Sequence, residues 1–133
     1  MFRRQTGEIE RDNWLSYLEK EKGLIVKKVR YCVYEINDKK VNIKFAEQRI
    51  GGTFWFNASP NYLNKMSVFV WLCKDWENYY VIPSKDMRRL INAGNYLSRE
   101  SGYPSFLFRL SDHRYLPANI NVESYYRNLS PVV

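Results

Sequence analysis

Lysine and arginine carry most of the chemistry this sequence can offer, and they fall into groups. Lys39, Lys40, Lys44 and Arg49 cluster around one segment, Lys27, Lys28 and Arg30 lie just before it, and Lys85, Arg88 and Arg89 follow later. Ammonium and guanidinium groups bind phosphate through charge and hydrogen bonds, so such clusters suit a polyanion, and nucleic acid is the commonest one. The bland alternative is a solvated, solubilising surface. Lys85, Arg88 and Arg89 would open a helix, where positive charge opposes the helix dipole, and that mild cost favours a binding role. Other reactive side chains are scarce. One histidine, His113, sits in a polar stretch between Asp112 and Arg114, and there are two cysteines, Cys32 and Cys73. This is too little for a histidine-based triad or a zinc site. Both cysteines occupy apolar, strand-like runs and read as reduced, buried thiols.

The 133 residues are the length of one ordinary domain, expected to span 1–133. Twenty-one lysines and arginines against 14 aspartates and glutamates give a net charge of +7. Hydrophobic residues make up 45% and aromatics 17%, which excludes a disordered chain and suits a sheet-rich core. Aromatic side chains also stack on bases, but Trp55, Phe69 and Trp71 read as core first. No apolar run approaches the roughly 20 residues of a membrane span. The first residues, Met1-Phe2-Arg3-Arg4-Gln5, lead into no apolar signal segment, so a cytoplasmic setting is expected.

The elements that must position these groups follow from periodicity. Trp14, Leu15 and Leu18 share one face of a helix over Gly7–Lys22, stopped by Gly23. Leu24–Ile36 reads as one strand rich in Val, Ile and Tyr, turning at Asn37-Asp38 into a second strand, Val41–Ala46. In the latter Val41, Ile43 and Phe45 face one way and Asn42, Lys44 and Ala46 the other. Gly51-Gly52 is a turn, Thr53–Asn57 a short strand, and Ser59-Pro60 its end. The apolar run Val68-Phe69-Val70-Trp71-Leu72 predicts a central strand covered on both faces. Tyr79–Ile82 predicts another, closed by Pro83, with Ser84 opening a helix to about Leu97. Phe106–Leu110 reads as a strand and Val122–Asn128 as a last helix. One tyrosine of each pair, Tyr79/Tyr80 and Tyr125/Tyr126, should face outward. The fold class is therefore α+β, with a central, mostly antiparallel mixed sheet flanked by helices.

Val41-Asn42-Ile43-Lys44, on the second strand of a hairpin, resembles the core of the PD-(D/E)xK nuclease superfamily, whose fold is restriction-endonuclease-like. Gly52-Thr53-Phe54-Trp55-Phe56-Asn57, Val68–Leu72 and Tyr79-Tyr80-Val81-Ile82-Pro83-Ser84 resemble the segments that follow the motif in that superfamily. The likeness covers about residues 24–97. It implies phosphodiester hydrolysis with Mg²⁺ held by two carboxylates, one of them two residues before a lysine that orients water or steadies the transition state. Here Asn42 stands at that acidic position, and Glu35 is the only carboxylate on the preceding strand. The resemblance therefore implies Lys44, Asn42 and Glu35 as the catalytic set, with Glu35 the metal ligand and Glu10 and Gln48 as assistants. Lys39, Lys40, Arg49, Lys85, Arg88 and Arg89 would hold the nucleic acid, duplex DNA by expectation. Two outcomes fit: a divergent Mg²⁺-dependent DNA endonuclease, or a member that binds without cutting. The alternative is a small interaction or inhibitor protein of phage or mobile-element origin, with a protein partner or a second copy of itself.

Overall fold

A computed structural model describes residues 6–94 and 102–133. The chain is α+β and builds two sheets. It opens with α1 (Thr6–Lys22), whose Trp14, Leu15 and Leu18 are buried, as their spacing requires. Three antiparallel strands follow: β1 (Val26–Arg30), β2 (Val33–Ile36) and β3 (Lys39–Ala46). The segment read as one strand over Leu24–Ile36 is thus two strands, broken by a tight turn at Tyr31–Cys32. Cys32 takes the left-handed conformation, φ 62°, without glycine or asparagine to announce it. The turn at Asn37–Asp38 is where the sequence places it, both residues at positive φ, as a two-residue hairpin turn demands.

After β3, Gly51 and Gly52 sit at φ 81° and 69° and turn the chain into β4 (Thr53–Asn57). This strand leaves the first sheet. Ser59-Pro60 does more than end it: proline starts a short helix, α2 (Pro60–Lys65). Then come β5 (Val68–Cys73), β6 (Tyr79–Pro83) and α3 (Ser84–Gly94); the expected end of that helix, Leu97, lies outside the described residues. The chain continues with β7 (Ser105–Arg109), β8 (Arg114–Leu116) and β9 (Ile120–Asn121). The helix expected at Val122–Asn128 is instead a single 3-10 turn, Glu123–Tyr125. Arg127 at φ 53° cannot continue a helix, and Tyr125 and Tyr126 turn toward Arg89 and Asn78.

The first sheet has the order β1-β2-β3-β5-β6, with β3 and β5 parallel and the other pairs antiparallel. The second has the order β4-β7-β8-β9, all antiparallel. All of β5 is buried, and it lies inside the sheet, as its apolar run predicts. One face of the first sheet carries Val41, Ile43, Val70, Leu72 and Val81 against α1. The other carries Phe69, Trp71, Tyr80 and Ile82 against β4, β7 and α3. Both faces of β6 are therefore covered, and Tyr79 and Tyr80 are both buried, contrary to the one-in, one-out expectation. No helix among the described residues is long and apolar enough to cross a membrane.

Candidate functional site

Lys44 sits near the end of β3, in register with Trp71 of β5, and so faces the second sheet rather than water. Its ammonium is half-buried and donates to the Asn57 carbonyl of β4 at 2.6 Å. Burial pushes its pKa below the usual lysine range, with the sulfur of Cys32 pulling the other way. Asn57 is a hub, since its side-chain oxygen also accepts from Trp55 Nε1 and Ser105 Oγ, each at 3.0 Å. Asn42 is 1% exposed, and its Nδ2 donates to the Cys32 carbonyl at 3.1 Å. It pins the Tyr31–Cys32 turn onto β3.

Glu35 lies elsewhere. It pairs in register with Lys27 on one side and Lys40 on the other. Lys44 is four residues further along β3 than Lys40, roughly 13 Å at strand rise. Glu35 and Lys44 therefore do not converge on one phosphate, and Asn42 is committed to a backbone carbonyl. This set does not fit a Mg²⁺ site. Among the described residues, no three His, Cys, Asp or Glu side chains gather into a group that could hold a metal ion. Glu10 is also engaged, accepting from the Trp76 backbone at 2.9 Å and tying α1 to the β5–β6 turn.

What Lys44 does join is a cleft of about 850 Å³ at the end of β3. The first turn of α1 supplies Thr6, Gly7 and Glu8. Arg11 reaches in from the next turn, Tyr31 and Cys32 come from the β1–β2 turn, and Glu47, Arg49 and Trp55 complete it. Gly7 permits this closeness, for a Cβ there would lie 3.2 Å from the Phe45 ring. Arg11 is 7% exposed. Its Nη1 donates to Cys32 Sγ at 3.4 Å, its guanidinium lies 5.2 Å from the Tyr31 ring centre, and its buried Nε has no partner. Burial works to lower its pKa, but Cys32, Tyr34 and Tyr31 outweigh that and hold it above the usual value. Arg49 lies over Trp55 at 5.4 Å. Two arginines thus rest on two aromatic rings around a half-buried lysine, and the N-terminus of a 17-residue helix adds its positive dipole end.

The other expected basic residues do not meet here. Lys39 and Lys85 line a smaller cleft of about 430 Å³ at the opposite end of β3. Arg88 and Arg89 donate to Asn64 and Tyr125 on the outer surface of α3. Lys40 is exposed beside Glu35. Arg11 was legible: it occupies the buried stripe of α1, three, four and seven residues before Trp14, Leu15 and Leu18, where a cation needs a reason. Trp55 was half legible, since alternation with buried Phe54 and Phe56 turns it outward. Tyr31 had no signal, because its turn had none. Compared with protein-family models, curated proteins and solved structures, the chain matches none.

Proposed function

We propose that the protein binds nucleic acid and grips its phosphates in the cleft between α1 and the end of β3. The observation that carries this reading is the convergence of Arg11, Lys44 and Arg49 on one concavity together with the first turn of α1. Recessed cations and helix N–H groups form an anion site. The likeness of Val41–Lys44 to nuclease cores and the net charge of +7 favour nucleic acid as the anion. Binding without cutting is the branch that the separation of Glu35 from Lys44 supports.

Affinity is expected to fall about 3-fold between 50 and 200 mM salt for one phosphate neutralised in the cleft. Arg49→Ala, at an exposed position, should weaken binding to all sequences alike and flatten the salt slope, because phosphate contacts carry no base code. Arg88→Ala with Arg89→Ala should leave the slope unchanged. Bound nucleic acid should also slow alkylation of Cys32, which lines the cleft, while Cys73 is fully buried and silent in either state. Mg²⁺-dependent nicking of plasmid by wild type but not Lys44→Ala would replace this reading with the cleaving one. A protein partner is the second reading. Ile25, just before the outer strand β1, and Val29 within it are exposed beside Lys27 and Lys28, and failure to bind any nucleic acid at low salt would turn attention to that edge.

A further inference from the structure

We infer that the cleft takes an unpaired strand, with a phosphate held by Arg11, Lys44 and Arg49 and a base stacked on Tyr31; this rests on the nucleic-acid reading above. A duplex is convex, and proteins read it with an element that protrudes into a groove. Here two of the three cations are recessed. Arg11 is 7% exposed, Lys44 is half-buried beneath the second sheet, and the concavity of about 850 Å³ has the size of a small-ligand site. Duplex phosphates are fixed on a rigid cylinder and cannot reach that floor. A single strand is flexible and can lay a phosphate and its base into it.

The lining fits both parts of a nucleotide. Arg11 lines the cleft, and its guanidinium has donors beyond the one given to Cys32 Sγ. Tyr31 is 65% exposed at the mouth, with Arg11 near its ring. A flat ring held in place by a guanidinium offers a stacking surface that every base can use, so this contact does not depend on sequence. Trp55, held by Arg49 and by its bond to Asn57, forms a second aromatic wall. Glu8 and Glu47 also line the cleft and discourage a second phosphate.

The test is fluorescence anisotropy at low salt with a short labelled DNA strand, its duplex, and an abasic strand of equal length and charge. The unpaired strand should bind roughly ten- to hundredfold tighter than either of the others. Tyr31→Ala, at an exposed position, should remove most of that advantage, weakening the unpaired strand far more than the duplex or the abasic strand. Equal affinity for all three, or a duplex that binds best, would overturn the inference and leave the nucleic-acid reading standing. Competition by a nucleoside monophosphate at equal concentration would also overturn it, pointing to a mononucleotide site. No binding of any of them would overturn both.

Discussion

Above pH 10 the fold is expected to lose stability as pH rises. Tyr79, Tyr80 and Tyr115 are 1%, 0% and 1% exposed. Burial raises the pKa of each phenol above its ordinary value of 10, because the phenolate loses its hydration. The unfolded chain therefore releases these protons near pH 10, while the folded chain keeps them. The stability they contribute is complete below pH 10 and is lost as pH rises toward their folded values. Each lowers stability by at most about 1.4 kcal/mol per pH unit between its unfolded and folded values, against a total of about 5–15 kcal/mol. Tyr125 and Tyr126 are raised too and act in the same direction. Lys44 acts against them: its pKa is lowered, so its share of stability grows up to the unfolded lysine value of 10.5. One such group does not offset three. The part of the phenolate absorbance that belongs to the buried rings should appear only as circular dichroism is lost, in one cooperative step. Tyr80→Phe, which removes the phenol bonded to His113 Nδ1 at 2.8 Å, should make the pH dependence shallower. Complete phenolate formation with circular dichroism unchanged would show that these rings are not buried.

Trp71→Ala should be the most damaging single truncation of the core. Trp71 is 0% exposed and lies between the two sheets. It stacks on Phe56 at 4.8 Å and 8°, and meets Phe106 at 4.7 Å and Phe108 at 5.2 Å. Removing a buried tryptophan costs about 3–5 kcal/mol, because the transfer term is lost and the remaining rings collapse only partly into the space. For a chain of this length that lowers the melting temperature by about 10–20 °C. Trp71→Phe should lose less than half as much. The indole N–H of Trp71 is buried without a partner, so phenylalanine removes an unsatisfied donor along with some volume. A loss under about 1 kcal/mol in Trp71→Ala would mean that the sheets are not packed through this ring.

The alternation of Val41, Ile43 and Phe45 against Asn42 and Lys44 was legible and correct, but the environment of the second face was not. Polar residues on that face suggested water, whereas the second sheet covers it. A clue lay in β5, whose unbroken apolar run requires cover on both faces; its neighbour β3 shares that cover. The partners that provide it, Phe106 and Phe108, arrive after residue 105, and no local pattern joins them to Phe54 and Phe56. The Tyr31–Cys32 turn was missed because left-handed backbone at a cysteine follows from its contacts: the Cys32 carbonyl accepts from Ile43 N and Asn42 Nδ2. The final helix was misread for a related reason, since Tyr126 bonds to Asn78 and draws the chain off a helical path. Of the cleft, Lys44 and Arg49 were expected as separate site residues, while Trp55, expected in the core, is half-buried and lines it. Only the fold brought Arg11 and Tyr31 to them.

The departure of β4 from the first sheet also sets an order of assembly. Thr53 pairs with Arg109 and Asn57 with Ser105, whereas β3 and β5, on either side of β4 in sequence, pair with each other. During synthesis, every strand of the first sheet has been made once Pro83 is added. Of the sheet that roofs it, β4 has been made and its partner β7 has not. Until Ser105–Arg109 appears, Phe69, Trp71, Tyr80 and Ile82 form an apolar surface open to water and to other chains. Closing so long a loop before its contacts form is entropically costly, so this protein should fold slowly for its size. A chain cut short between Pro83 and Ser105 would present a chaperone with a nearly finished sheet, one face sealed by α1 and the other lacking β7.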